Sequence, residues 1–200
     1  MARQRTTRFV GVLLGTLAAV AMAVTATSSS AYADSSSVAA PAKATRAGIR
    51  SMANAQVGKS CTSFTTAGGT SACQNWWCAV FASWVWRHAG VTPAPTTWVA
   101  TDVGTWGKAH HVFKARPAGQ RGNPLVGDIV VFGQPGAGTG GHVGIVTAVY
   151  SNGYIDTMNG DYGSGGPGST HVVKSHINPI TARSGGSNWL ISGYVSPPGV

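Results

Sequence analysis

The chain has 200 residues, 28 of them glycine and seven tryptophan, with a formal net charge of +9. Its five acids are all aspartates (Asp34, Asp102, Asp128, Asp156, Asp161), which excludes any mechanism that needs glutamate as a base or metal ligand. The length accommodates one domain with a real core, plus appendages.

The first 33 residues read as a secretory signal. Arg3, Arg5 and Arg8 form a basic head, and residues 10–24 form an apolar stretch too short for a membrane span. Ala31-Tyr32-Ala33 is a small-x-small cleavage site, so the mature chain is expected to start at Asp34, secreted and without a stable membrane anchor. Removing residues 1–33 takes three of the fourteen basic residues and none of the five acids, leaving a net charge of +6. Such a protein is drawn to anionic surfaces. Its lysines and arginines are scattered singly, so an anionic extracellular polymer is a better partner than nucleic acid.

Residues 34–44 are a Ser/Ala/Pro linker, and 45–198 the domain proper. Residues 45–59 read as a helix with Ile49, Met52, Ala53 and Val57 apolar, stopping at Gly58. Cys61 and Cys73 bracket an eleven-residue polar loop that a disulfide would close, leaving Cys78 as the free thiol. A second helix carries Trp77, Phe81 and Trp84 at helical spacing, with Asn75 as its expected N-cap and His88-Ala89-Gly90 at its end. Cys78 then lies in the first turn, where the helix dipole favours a thiolate. Thr96 or Thr97 can cap a short helix bearing Trp98, Val99, Val103 and Trp106.

Beyond it the apolar period changes to two. Strands are expected at 112–114, 129–132, 142–150, 154–158, 171–176 and 190–195, with Asn152-Gly153 as a tight hairpin turn and residues 163–168 as a glycine-rich loop. Helices first and then an antiparallel meander make an α+β fold.

A thiolate mechanism needs an imidazole, and a third group to fix its tautomer. Of six histidines, His88 reads as a helix C-terminal partner, His110 and His111 as loop residues, and His171 and His176 as strand residues with no polar partner in sequence. His142 opens a buried strand, and pairing about Asn152-Gly153 returns the chain to Asn159 within hydrogen-bonding reach of it. Three weaker patterns fail. The glycines at 136–141 lead into a strand rather than a helix, residues 156–161 lack calcium-loop spacing, and no zinc-finger spacing occurs. No cofactor and no metal is expected.

Trp77-Cys78-Ala79-x-Phe81-x-x-Trp84, Pro124-x-x-Gly127-Asp128, Gly141-His142-Val143-Gly144, Asn159-Gly160-Asp161 and Gly193-Tyr194-Val195-x-Pro197 together resemble the CHAP family, the cysteine, histidine-dependent amidohydrolases/peptidases. The resemblance covers residues 45–198. It implies a papain-like fold, with N-terminal helices on an antiparallel sheet of five or six strands. It also implies cleavage of amide bonds in peptidoglycan by Cys78 as nucleophile and His142 as base. The third position of that family is often acidic; here it is Asn159, with Asp161 beside it, and the third and fourth roles stay open between them. The backbone N–H of Cys78, with Gln74 or Asn75, would form the oxyanion hole. Trp76, Trp98, Trp106 and Tyr162 could line a groove, although core packing is the commoner role of a tryptophan. The expectation is a monomeric, secreted wall hydrolase, either an N-acetylmuramoyl-L-alanine amidase or a peptide-bridge endopeptidase. The alternative is an inactive wall-binding protein in which Cys78 is structural.

Overall fold

The computed structural model describes residues 43–138, 140–162, 170–184 and 188–200. The signal segment, positions 34–42 of the linker and the glycine-rich run 163–168 lie outside the described residues. Three helices, α1 (Arg46–Asn54), α2 (Cys78–His88) and α3 (Ala100–Ala109), precede six strands. The strands are β1 (Phe113–Ala115), β2 (Ile129–Phe132), β3 (His142–Val149), β4 (Ile155–Asn159), β5 (Val173–Ile177) and β6 (Ile191–Val195). They form one antiparallel sheet in the order β1-β6-β2-β3-β4-β5. The last strand therefore returns to the middle of the sheet, which a simple meander would not do.

Both faces of the sheet are apolar. Ile129, Val131, Val143, Ile145 and Met158 join the main core under the helices, while the alternating Val130, Phe132, Val146 and Ile155 join Tyr194 and Ile191 in a second cluster. Strands buried on both faces read in sequence as continuous apolar runs, as 129–132 does. The fold is α+β, with the N-terminus of α2 set against the strand that carries His142.

The strands lie within two residues of expectation, and three helix boundaries differ from it. Helix α1 ends at Asn54 rather than 59, because Gly58 N–H donates to the Val172 carbonyl (2.9 Å) and draws the chain off the helix axis. Val57 is consequently 56% exposed instead of lying on the apolar face. Helix α3 starts only at Ala100; Thr97 Oγ1 accepts from Val99 N–H (3.0 Å) in the turn before it, so Trp98 precedes the helix. Asn75 does not cap α2. It ends the short 3-10 turn Ala72–Gln74, and Trp77 takes the cap position with no side-chain bond of its own.

The Cys61–Cys73 disulfide is formed, and Cys78 is free and buried. Fully buried Asp128 accepts from Arg46 (2.8 Å), Lys114 (2.7 Å), Leu125 N–H (2.9 Å) and Ser196 (3.0 Å). One carboxylate thus ties the first helix, the first strand and the segment after β6 to the turn that starts β2.

Candidate active site

The site is assembled by three segments. Cys78 is the first residue of α2, held there by aromatic packing: Phe64 stacks on Trp77 (5.5 Å between centroids) and meets Phe81 and Trp84 edge-on (5.2 Å each). The second segment is Asn159-Gly160-Asp161, which leaves β4 and passes under that helix. A Cβ on Gly160 would stand 2.6 Å from both Trp77 and Phe81, so only glycine lets the strand approach so closely. Asp161 follows in a left-handed backbone conformation (φ 56°), which aspartate tolerates better than most residues. Its Oδ2 accepts from Trp77 N–H (3.0 Å) and its Oδ1 from the Thr170 hydroxyl (2.9 Å). The cap expected from Asn75 therefore comes from 84 residues downstream. A negative charge there stabilises the helix terminus, since α2 has no acid in its own first turn.

His142 opens β3 and is 6% exposed, with Phe132 (5.9 Å) and Tyr162 (5.3 Å) packed on its ring. Its Nε2 lies 3.1 Å from Asn159 Oδ1. The amide of Asn159 is oriented by its nitrogen, which donates to Thr157 O (3.2 Å), Thr157 Oγ1 (3.0 Å) and Ser175 Oγ (3.3 Å). The oxygen therefore faces the ring, Nε2 donates to it, and Nδ1 is left with the free lone pair. Gly144 makes room for this contact, because a Cβ there would collide with Asn159 Oδ1. Thr157 and Ser175 carried no signal as site residues in the sequence, whereas Gly144 stood in the motif around His142 as a gap in an otherwise apolar strand.

The Cys78 sulfur meets the backbone N–H groups of Val143 and Ala79, so it lies against the residue that follows His142. Burial pushes the Cys78 thiol up to about 11, and the Asp161 charge adds to that, against the lowering effect of those N–H groups. Burial likewise pushes His142 down to about 4, with the Asn159 bond acting the other way. Burial thus opposes the thiolate that the helix dipole would favour, and it pushes both Cys78 and His142 toward their neutral forms. Asp161 is itself raised by burial, opposed by its bonds from Trp77 and Thr170.

The other expected residues divide. Tyr162 packs on His142, and Trp76 stands 59% exposed just before α2. Trp106 instead stacks on His110 (4.1 Å) and meets Trp86 edge-on (6.2 Å), and Trp98 packs on the main core. Neither ring is packed on His142. Gln74 and Asn75 are exposed, with no hydrogen bond from their side chains to the site. His176, read as lacking a partner, donates from Nδ1 to Asp156 Oδ1 (2.7 Å), and His88 Nδ1 reaches back to Trp84 O (2.9 Å) as expected of a helix end. Among the described residues no cluster of three His, Cys, Asp or Glu side chains could hold a metal ion.

Residues 65–161, which include Cys78, His142, Asn159 and Asp161, match the model of the CHAP domain. The chain carries a CHAP domain. Its solved structural neighbours include Ly7917, both with the hydrolysing product of MDP (22% identity, TM-score 0.44, 78% of this chain and 63% of that one) and alone (22%, 0.44, 77% and 63%). Another is an N-acetylmuramoyl-L-alanine amidase from Staphylococcus aureus (21%, 0.38, 58% and 30%). The chain spans less than two thirds of the length of each of these proteins. No curated protein matches it.

Proposed function

We propose that the CHAP domain is a secreted peptidoglycan hydrolase that cleaves an amide bond with Cys78 as nucleophile and His142 as base. The observation that carries this reading is the 3.1 Å bond from His142 Nε2 to Asn159 Oδ1, which leaves Nδ1 free to accept a proton. With thiol and imidazole both neutral, Nδ1 takes the Cys78 proton as sulfur attacks the carbonyl carbon. The S–C bond forms, and the carbonyl electrons move to oxygen. The Cys78 backbone N–H, with Gln74 or Asn75, receives that oxyanion. His142 then gives its proton to the leaving amine as the C–N bond breaks, and water hydrolyses the thioester by the same route. Asn159 takes the third role and holds the tautomer; Asp161 acts on the nucleophile helix rather than on the imidazole.

The bond cut is the muramoyl–alanine amide or a peptide-bridge amide. Export agrees with the Cys61–Cys73 disulfide, which persists in oxidising compartments. The +6 charge of the mature chain would hold the enzyme to its anionic polymer. The test is lysis of purified walls with mass spectrometry of the released fragments. Cys78→Ala should fold and release none, whereas lysis by the folded variant would overturn the assignment.

A further inference from the structure

Beside the site a cleft of about 550 Å³ opens between the end of α3 and the start of β6. Lys108, Arg116 and Arg183 line it, and no acid does. Among the described residues no salt bridge includes any of the three: Asp128 is committed to Arg46 and Lys114, and Asp156 to Lys174 and His176. Positions 139, 163–169 and 185–187 contain no acid that could neutralise them. Arg116 donates to Ile191 O (2.7 Å) and Gln120 O (2.7 Å), Arg183 to Asn188 O (2.9 Å), and Lys108 Nζ lies 5.6 Å from the centre of the Phe113 ring. Carbonyls and a ring face satisfy geometry, but among the described residues no acid pairs with these three charges. The same cleft presents Trp189 and Leu190, 37% and 38% exposed.

The cleft runs up to the catalytic end of the sheet. Phe132 is the register partner of His142, and Gly133 follows it. A Cβ on Gly133 would stand 3.4 Å from Gly141 Cα, next to His142, and 3.6 Å from Trp189 Cδ2. One glycine thus separates the histidine strand from the cleft's tryptophan. A pocket so placed is within reach of a group covalently attached to the amide being cut. Peptidoglycan stems bear free carboxylates beside that bond, whereas wall phosphodiesters belong to separate chains.

We infer that this cleft is the subsite for a carboxylate-bearing part of the peptide stem, with Lys108 and Arg183 drawing the carboxylate and Trp189 covering the apolar portion. The inference rests on the hydrolase reading above for the identity of the ligand. Its test separates the two by measuring binding in Cys78→Ala, which cannot turn over. Calorimetry would compare a muramyl tripeptide with free carboxylates and the same compound with them amidated. The free form should bind about five- to tenfold more tightly, the range of two partly exposed charge contacts. Lys108→Ala with Arg183→Ala, both on the surface, should erase that difference while leaving the amidated form unchanged; Trp189→Ala should weaken both forms alike. Equal binding of the two forms, absence of binding by either, or a difference that survives the double variant would overturn the subsite. Wall lysis by the native protein without carboxylate discrimination removes the subsite and keeps the hydrolase. Discrimination by Cys78→Ala in a protein that never cleaves walls does the reverse.

Discussion

His142 and His176 both bond to β4, at opposite ends of it and in opposite electrostatic settings. His142 is enclosed and meets the neutral amide oxygen of Asn159, the last residue of that strand. His176 is exposed and meets the carboxylate of Asp156, which also takes Lys174 (2.8 Å) and the Tyr150 hydroxyl (2.7 Å), while Tyr154 stacks on the imidazole (4.9 Å). A neutral acceptor in a dry site orients an imidazole without holding a proton on it. At the surface the Asp156 carboxylate gathers His176, Lys174 and Tyr150 and so braces β5 against β4. The same residue type therefore suits the proposed proton transfer at one end of β4 and attaches β5 at the other.

The largest effect expected from breaking this contrast is at the buried end. His142→Ala should lower kcat/KM by about a hundred- to ten-thousandfold, the range for loss of a general acid–base. His176→Ala should leave it unchanged, and an equal loss at both would show that the base is assigned on the wrong grounds. A smaller effect should follow from making the buried pair resemble the exposed one. With His142 held down to about 4, the acid limb of the kcat/KM profile lies near that pH, because the base is lost once the ring is protonated. Asn159→Asp places an anion beside the ring and should move that limb upward by about 1–3 pH units, so that activity fails at higher pH as the medium is acidified. A limb that stays in place would mean that Asn159 does not set the state of His142.

The contrast also marks what the chain revealed unaided. His142 and Asn159 were legible because Asn152-Gly153 fixes the hairpin register, and a fixed register places strand ends opposite one another. Cys78 was legible because two other cysteines bracket a loop. Four features were not. Asp156 and His176 meet across β4 and β5, whose connection includes the run 163–169 with no register signal of its own. Asp161 caps a helix 84 residues away, a contact no local capping rule contains. The protonation of Cys78 depends on how completely α2 and β3 exclude water, a property of packing rather than of helix position. The return of β6 between β1 and β2 was hidden likewise, since apolar alternation identifies a strand but not its neighbours.

The smallest effect lies at the exposed end and should appear in stability alone. Burial pushes the Asp156 carboxyl up, but hydrogen bonds from Lys174, Tyr150 and His176 more than offset it and hold the group down to about 2. An unfolded aspartate titrates near about 3.9, so the depressed group stabilises the fold fully above that pH. The contribution is lost as the pH falls from about 4 through about 2. Asp156→Asn should therefore melt earlier than the native protein near neutrality, by about 1–2 kcal/mol for the lost charge-assisted bonds. The gap should close on acidification to the bottom of that window, with kcat/KM at neutral pH untouched. Urea titrations of both proteins at pH 6 and at about pH 2 decide it. A gap of the same size at both values would assign the role of Asp156 to packing.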